Sequence, residues 1–314
     1  MKHLPAILLF AICAAGPAGA ETPAPLPDGE TPAVELSLDS SFAKGIRLAP
    51  GTEPEKVKPD IHYVPTPQRL VDLMLLMAKV NKNDLVYDLG SGDGRLVITA
   101  AKTYGARGIG IDIDPARIAE AKLNAAEAKV EDQVAFRQAD LFTSDFKDAT
   151  VITLYLLDAL NQRLRPQLFA QVKPGTRIVS HAFRMGDWEP DAEKELKIGG
   201  ATYNAYFWVV PANMSGRWKV TPEGNTKGMP ETIVIEQTFQ MITARGTEGG
   251  EPIGQGRLDG NEFTLALGKT AGSAATTFTG TVEGNTIKAI APGQRASWQA
   301  EREPGTEKPL DPGR

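Results

Sequence analysis

The fold is decided by residues 85–100, which read LVYDLGSGDGRLVITA. A short apolar run leads into a glycine-rich loop, and residues 96–102 are then apolar at helical spacing. Gly90, Gly92 and Gly94 let the backbone turn sharply and approach a ligand in front of a helix N-terminus. A buried strand, a glycine loop and a helix in this order are typical of a ligand site in an open α/β sheet.

The same alternation of strand and helix continues on both sides of this loop. Thr66 and Pro67 are an N-cap residue and a first-turn proline, and they predict a helix that begins there. Further strands are predicted at 109–113, 134–137, 150–156 and 177–181, and further helices at 115–129 and 161–172. Near-continuous apolar strands between helices indicate a parallel sheet covered on both faces, so we predict an α/β, Rossmann-like fold. Two closely spaced strands, near 195–198 and 202–210, predict an antiparallel edge.

Past Pro211 the chain changes to short strands separated by turns. Residues 256–263 (GRLDGNEF) and 280–287 (GTVEGNTI) are nearly copies of each other, with Gly-Asn at each hairpin turn. Strands are predicted at 217–220, 232–240, 256–258, 262–267, 277–282, 286–290 and 297–301. This pattern predicts a small antiparallel β domain, either a sandwich or a barrel. The compositional break at Pro211 also predicts that the α/β part folds by itself.

The start of the chain has the order of a secretory signal peptide. Lys2 precedes an apolar run at 4–15, and the small residues 18–20 form a cleavage site before Glu21. We therefore expect export across the inner membrane, a periplasmic location, and no integral membrane span after cleavage. A lipoprotein anchored at Cys13 is the alternative, but a small residue is wanted just before such a cysteine and this chain has an isoleucine there.

Composition divides the chain into five predicted parts. These are a signal peptide (1–20), a Pro/Ala-rich tether (21–59), an α/β domain (60–211), an antiparallel β domain (212–302) and a disordered tail (303–314). Because Cys13 is the single cysteine of the chain, the mature protein would contain neither a thiol nor a disulfide.

Charge and residue types exclude several functions. The net charge is −5, which is unlike the basic footprint of a nucleic-acid-binding protein, so no nucleic-acid partner is expected. Beyond the signal segment only His62 and His181 remain, neither in a cluster with metal-ligand spacing, so no metal is expected. The chain also contains neither the G-x-S-x-G elbow of hydrolases nor a Walker loop.

The spacing of the glycine loop distinguishes between two kinds of nucleotide ligand. Dinucleotide sites favour G-x-G-x-x-G, which would need a glycine where this chain has Arg95. Here the pattern is D-x-G-x-G-x-G, with Asp88 two residues before the first glycine. A carboxylate there suits a ligand with a positive amino group, such as S-adenosylmethionine (SAM), whereas Asp88 and Asp93 would repel a pyrophosphate.

Two further acids follow the next two predicted strands. Asp112 lies about 20 residues beyond the loop, where an acid can accept both ribose hydroxyls, although that feature alone fits NAD equally well. Asp140 could accept the exocyclic amine of adenine. Acids at three successive strand ends match a zwitterionic adenosyl ligand, so SAM is the predicted cofactor. Solvated loop aspartates without a ligand are the alternative, and Asp140 fits the cofactor more loosely than Asp88 and Asp112.

At these residues the chain resembles the class I SAM-dependent methyltransferases. Their first motif corresponds to DLGSGDGR (88–95), and their second strand with its acid corresponds to GIDIDP (110–115). Four further stretches are more specific: YVPTP (63–67), TLYLL (153–157), GTRIVSH (175–181) and GDW (186–188). Together they resemble the small mitochondrial lysine methyltransferases that act on ATP synthase subunit c and the adenine nucleotide translocase, and their bacterial relatives. The resemblance spans about residues 61–210, and the export signal and β domain depart from the mitochondrial members.

The resemblance, together with the loop pattern, implies a set of site residues. Tyr63 and Thr66 would close over the methionine end of SAM, and Tyr155 takes the place of the active-site motif at the fourth strand. The predicted cofactor-binding residues are Tyr63, Thr66, Asp88, Gly90, Ser91, Gly92, Gly94, Asp112 and Asp140. The predicted catalytic residues are Tyr155, His181 and Asp187. Core packing is the alternative role for Tyr155, and a hydrogen-bonded structural role is the alternative for His181.

These observations give two functional hypotheses and leave the oligomeric state open. The first is a SAM-dependent enzyme that methylates the side-chain nitrogen of a protein lysine, which is what the resemblance implies. The second is an exported envelope binding protein whose methyltransferase-like domain binds SAM without turnover, with the β domain carrying the interaction. An intact set of acids and glycines favours the enzyme, whereas export favours the binding protein. An NAD-dependent oxidoreductase is disfavoured by the glycine spacing.

Overall fold

A computed structural model describes residues 63–224, 229–268, 275–293 and 296–311. The predicted signal peptide, tether and Cys13 lie outside these residues, as do His62 and the last three residues of the predicted tail. Within the described ranges, no helix is both long enough and apolar enough to cross a membrane.

The first part of the described chain is a mixed sheet of seven strands with four helices. The strands are β1 (Leu85–Leu89), β2 (Arg107–Asp112), β3 (Val134–Gln138), β4 (Val151–Leu154), β5 (Arg177–His181), β6 (Ala192–Ile198) and β7 (Ala201–Val209). The helices are α1 (Gln68–Met77), α2 (Arg95–Tyr104), α3 (Pro115–Ala128) and α4 (Asp158–Gln171). The strand order is β3-β2-β1-β4-β5-β7-β6. Strands β1 to β5 are parallel, and β7 and β6 form the antiparallel edge that the sequence predicts.

Both faces of this sheet are covered, as the near-continuous apolar strands require. Side chains of α1, α2 and α3 pack on one face against Val86, Val151 and Val179. Side chains of α4 pack on the other face, where Leu164 and Leu168 join a second core. All five residues of β1 are buried, which is expected of a central parallel strand. The predicted Rossmann-like fold class is confirmed.

The second part is a closed antiparallel barrel of eight strands. They are β8 (Gly216–Gly224), β9 (Thr232–Thr238), β10 (Met241–Arg245), β11 (Pro252–Asp259), β12 (Glu262–Leu267), β13 (Thr276–Glu283), β14 (Thr286–Ile290) and β15 (Ala296–Arg302). The barrel closes in the order β10-β11-β12-β13-β14-β15-β8-β9. Large side chains, including Trp218, Phe263, Leu265 and Trp298, form its buried core. The structure therefore selects the barrel from the two predicted β architectures.

One strand of the barrel is absent from the sequence prediction. Residues 232–240 were expected to be a single strand, but β9 ends at Thr238 and the chain reverses into β10 through Phe239 and Gln240. Phe239 adopts a left-handed backbone with φ 52°, which is unusual for an aromatic residue. Because neither turn residue is glycine, proline or asparagine, the sequence contains no signal for this turn.

The turn between β9 and β10 packs on the α/β part. The ring of Phe239 lies 5.8 Å from that of Trp188 and 6.0 Å from that of Phe169, measured between centroids. Gln240 Oε1 accepts a hydrogen bond of 2.8 Å from Trp188 Nε1, and Arg257 pairs with Asp191. The barrel therefore covers an apolar face of the α/β part. This packing argues against the expectation that the α/β part folds by itself.

Residues 303–311 return from the barrel to the α/β part. The carbonyl of Lys308 accepts hydrogen bonds from Asn213 Nδ2 at 2.7 Å and Ser215 Oγ at 2.9 Å. Asp311 forms an ion pair with Arg165 of α4 at 2.5 Å. This segment therefore differs from the expected frayed tail, because it is held by hydrogen bonds and a buried ion pair.

Candidate active site

A cavity of about 310 Å³ opens at the carboxyl ends of the central strands, a volume that suits a small-molecule ligand. It lies beside β1, where the chain order of the sheet reverses between β2 and β4. Open α/β sheets bind ligands at such a switch point. The loops after β1, β2, β3 and β4 line the cavity, together with residues 63–66 and Phe183.

The glycine loop begins directly at the end of β1. The amides of Gly90 and Ser91 both donate to the carbonyl of Ile111 in β2, at 2.8 Å and 2.9 Å. Gly90 has a φ of 87°, a left-handed conformation that favours glycine. Gly90 and Ser91 line the cavity, as predicted for cofactor-binding residues. Ser91 Oγ is buried and has no hydrogen-bond partner within the described part of the chain.

Gly92 and Gly94 do not line the cavity, which differs from their predicted role as cofactor contacts. A Cβ atom on Gly92 would overlap the ring of Tyr63, and one on Gly94 would lie 2.6 Å from the ring of Phe136. The space left by these two glycines is therefore filled by protein side chains. Gly92 and Gly94 therefore affect the site indirectly, because they allow Tyr63 and the loop backbone to take their positions.

Asp88 is a buried carboxyl group that lines the cavity. Thr153 Oγ1 donates to Asp88 Oδ1 at 2.6 Å. Burial raises the pKa of Asp88 to about 8, with a smaller contribution from the charges of Asp112 and Asp93, although the Thr153 hydrogen bond opposes the shift. A carboxyl group with a raised pKa is suited to a cationic ligand, because a nearby positive charge favours the ionised carboxylate.

Asp112 and Asp140 are fixed by backbone donors at the cavity wall. Asp112 accepts hydrogen bonds from the amide of Gly92 at 2.8 Å and from the amide of Asp114 at 2.9 Å. Asp140 accepts from the amide of Phe142 at 2.8 Å and so caps a single 3₁₀ turn. Each carboxylate has further lone pairs that can accept hydrogen bonds from a ligand.

Residues Tyr63 and Thr66 cover one side of the cavity, as predicted. The carbonyl of Thr66 accepts a hydrogen bond of 2.7 Å from Arg95, whose guanidinium also pairs with Asp93 at 2.5 Å. The guanidinium of Arg117 lies 4.9 Å from the centre of the Tyr63 ring. These contacts tie the segment 63–66 to the glycine loop and to α3.

Tyr155 and His181 lie together, but only Tyr155 lines the cavity. The two rings stack with their centroids 3.7 Å apart. His181 is buried behind Tyr155, and its Nδ1 lies 3.1 Å from the hydroxyl of Thr66. Burial lowers the pKa of His181 to about 4, so the imidazole is neutral at pH 7. His181 therefore supports Tyr155 and Thr66 rather than contacting a ligand.

Asp187 lies outside the cavity, unlike the catalytic position predicted for it. A tight turn brings Met185 opposite Trp188, with Gly186 at φ 65°. This turn places Asp187 against Arg165 of α4, with 2.6 Å between Oδ1 and Nη1. Its side chain is half exposed and makes part of a structural ion pair.

Several residues of the cavity were not predicted from the sequence. Leu157 and Leu160 line it after β4, and the aromatic rings of Phe142 and Phe183 line it after β3 and β5. Leu157 ends the stretch TLYLL (153–157), to which no cofactor or catalytic role was assigned apart from Tyr155, and the other three belong to no recognisable motif. The rule that loops after parallel strands form the site would have indicated their segments, though not the individual side chains.

The residues present fit the predicted cofactor. A buried carboxyl group at Asp88, fixed acceptors at Asp112 and Asp140, and the buried hydroxyl of Ser91 supply polar partners of the kinds that an amino acid and an adenosine need. Among the described residues, no group of three histidine, cysteine or acidic side chains could hold a metal ion.

The chain is similar to known methyltransferases. A family model described as the ANTKMT methyltransferase domain matches residues 88–192. A protein-lysine N-methyltransferase of Saccharolobus islandicus is 40% identical over 153 residues, which cover 48% of this chain and 95% of that protein. The adenine nucleotide translocase lysine N-methyltransferase of Mus musculus is 29% identical over 195 residues, which cover 62% of this chain and 80% of that protein.

A solved structure gives a further similarity. An RNA methyltransferase from Salinibacter ruber, in complex with S-adenosyl-L-homocysteine, is 54% identical to this chain, with a TM-score of 0.45. The match covers 48% of this chain and 96% of that one. The predicted resemblance is confirmed by the family model and the two lysine methyltransferases. The chain belongs to the SAM-dependent methyltransferases, in the same family as the protein-lysine N-methyltransferase of Saccharolobus islandicus.

Proposed function

We propose that this methyltransferase acts on the side-chain amine of a lysine in a protein. The observation that carries the proposal is the wall formed after β4 and β5 by Tyr155, Leu156, Leu157, Leu160 and Phe183, which we call the acceptor wall. None of these five side chains is charged. The names of the similar lysine methyltransferases support the same acceptor.

The acceptor wall suits an amine better than a hydroxyl or a carboxylate. When bound, SAM supplies an electrophilic methyl group on a sulfonium, and a neutral amine can accept it without a strong base. An apolar wall favours the neutral amine by excluding water, and the faces of Tyr155 and Phe183 stabilise the cation that develops. A hydroxyl acceptor would need a general base, whereas the nearby His181 is buried behind Tyr155 and bonded to Thr66.

The remaining residues hold the two reactants in place. Asp88 would bind the amino group of the cofactor, Asp112 its ribose and Asp140 its adenine. Ser91 would add a hydrogen bond from the glycine loop. The contribution of the protein is then mainly orientation, because a displacement at carbon requires the two partners close together and in line.

The test of the proposal is transfer of a deuterated methyl group from SAM by the full chain. We expect mass spectrometry to find methylated lysine in poly-L-lysine and in proteins of the source cells. Tyr155→Ala should lower the rate by about 5- to 30-fold, the value of a desolvated cation–π contact, whereas Tyr155→Phe should keep most of it. Methyl groups on RNA and not on lysine would contradict the acceptor, and equal rates for the two variants would contradict the role of the ring.

The raised pKa of Asp88 gives a prediction for the pH dependence of SAM binding. In the free protein Asp88 is protonated below about pH 8, and a bound ammonium group requires the ionised form. Binding should therefore release close to one proton, and affinity should rise towards about tenfold per pH unit between pH 6 and 7.5. Calorimetry in two buffers of different ionisation enthalpy measures the release. Asp88→Asn should abolish it, and a wild-type protein that releases no proton would overturn the assignment.

A second binding prediction concerns Asp112. Asp112→Ala should weaken SAM by about 1.5–3 kcal/mol, because it removes a hydrogen bond to a charged acceptor. The matched control is Asp132→Ala, which makes the same change at an exposed position outside the cavity and should leave the affinity unchanged. An unchanged affinity in Asp112→Ala would mean that the ribose is recognised by other groups.

We also propose that the chain is exported to the periplasm and begins at Glu21 after cleavage. The support is the order of Lys2, the apolar run 4–15 and the small residues 18–20. Fractionation of the source cells followed by N-terminal sequencing tests it. A full-length chain in the cytosol would contradict export, and a chain that begins at Cys13 would indicate a lipoprotein instead.

A further inference from the structure

The position of Phe183 in the acceptor wall depends on a strained turn. The turn follows β5, where Ala182 has a φ of 63°, a conformation that alanine rarely adopts. Phe183 comes next, and its ring stacks at 6.1 Å from that of Tyr155. Strained backbone of this kind persists only where surrounding contacts hold it. The contacts that hold this turn therefore determine the shape of the acceptor wall.

The amide of Ala182 donates to the carbonyl of Asn204 in β7 at 2.8 Å, and one face of α4 holds the residues that follow Phe183. Asp158 Oδ1 accepts from the amide of Arg184 at 2.7 Å, and Asn161 Nδ2 donates to the carbonyl of Arg184 at 3.2 Å. Arg165 Nη1 donates to the carbonyl of Met185 at 2.7 Å. Positions 158, 161 and 165 are spaced by three and four residues, so they share one side of the helix. Together they fix the backbone that immediately follows Phe183.

Arg165 can donate to the Met185 carbonyl only because carboxylates balance the charge of its guanidinium. Its side chain is 8% exposed, and its two carboxylate partners differ in burial. Asp187 is 51% exposed, whereas Asp311 is 3% exposed and lies 2.5 Å from Arg165 Nε. A buried charge that loses its buried partner is strongly destabilised. The C-terminal segment thus supplies the principal counterion to a helix of the α/β part.

We propose that Asp311 is a positioning residue for the acceptor wall, acting through Arg165 and the Met185 carbonyl on the turn that carries Phe183. This proposal rests on the proposed function in one respect, because it takes the acceptor lysine to bind at this wall. Without the carboxylate, Arg165 turns towards solvent and Asp187, its bond to Met185 is lost, and the backbone from Phe183 to Met185 loosens, while the bond from Ala182 to Asn204 remains. The cofactor side of the cavity, formed by Asp88, Asp112 and the glycine loop, is unaffected.

The experiment compares Asp311→Asn with Asp311→Glu and with Glu307→Gln in the full chain. Glu307 lies in the same segment and pairs with Arg302 of the barrel, so Glu307→Gln makes the same chemical change away from α4. Trypsin cleavage after Arg184, followed by peptide mass spectrometry, reports opening of the turn. We expect Asp311→Asn to be cut there about tenfold faster, because local opening sets the rate. The Glu307→Gln control should match wild type, and Asp311→Glu should restore most of the protection.

Two further readouts separate positioning from general loosening. SAM affinity, measured by calorimetry, should change less than about twofold in Asp311→Asn, while kcat/KM for poly-L-lysine falls about five- to tenfold, because the displaced wall no longer stabilises the cation that develops. Unchanged cleavage after Arg184, or an equal fall in SAM affinity, would overturn the proposal. If the wild-type chain does not methylate poly-L-lysine, the acceptor assignment fails, while cleavage and SAM binding still decide the role of Asp311.

Discussion

A chain that ends at Ala212 is expected to be insoluble or to lack a cooperative unfolding transition. It would lose Phe239 from the core that contains Trp188 and Phe169. Truncating a buried aromatic side chain typically lowers the free energy of unfolding by about 3–5 kcal/mol. It would also leave the buried guanidinium of Arg165 without Asp311, at a cost of about 3–5 kcal/mol. The sum is comparable with the whole stability of a typical domain, about 5–15 kcal/mol.

Solubility, near-ultraviolet circular dichroism and thermal unfolding measure this outcome. The control is a chain that ends at Pro309, which keeps the barrel and removes only Asp311 and its neighbours. That chain should fold with a lowered melting temperature. If the chain ending at Ala212 is instead a well-folded monomer that binds SAM like the full protein, the barrel is an independent module.

The second large effect is expected for Gly92→Val, which should weaken SAM binding by about 100-fold or more. The new Cβ would overlap the ring of Tyr63, and the left-handed backbone at φ 51° would add strain. Both effects displace the segment that covers the cavity and the loop that carries Ser91. The loss therefore comes from moved protein groups, not from a side chain placed inside the ligand volume.

Two comparisons isolate this mechanism in calorimetric titrations with SAM. Gly199→Val makes the same substitution at φ 57°, where no described atom lies within 4 Å of the added Cβ, so it carries the strain without the overlap. It should bind SAM like wild type. Removing the ring in Gly92→Ala/Tyr63→Ala should recover part of the affinity lost in Gly92→Ala. No recovery would show that the loop backbone, and not Tyr63, transmits the effect.

The α/β fold and the cofactor were predictable because their signals are local. A buried strand, a glycine loop and an acid at each following strand end are each read from a few neighbouring residues, as at Asp88 and Asp112. The family was recognisable because several of these segments match at once.

Other features depend on contacts between distant parts of the chain, and local patterns do not report them. Phe239 forms a turn without a turn residue because its ring packs on Trp188. Asp187 follows a strand of the sheet, yet its partner is Arg165, and Asp311 lies in a segment whose composition is that of a frayed tail. Gly92 resembles a ligand contact in sequence, but its missing side chain accommodates Tyr63.

The placement of the four tryptophans has an optical consequence. Trp188 and Trp208 lie in the core shared by the sheet and the Phe239 turn, while Trp218 and Trp298 lie inside the barrel, and all four are fully buried. Indole emission shifts to longer wavelength when the ring meets water, so each half of the molecule carries its own pair of intrinsic fluorophores. Replacing Trp188 and Trp208 by phenylalanine leaves a chain whose emission follows the barrel interior, and replacing Trp218 and Trp298 leaves one whose emission follows the core shared by the two halves. Stopped-flow traces of the two chains would then show, without any attached dye, which half opens first.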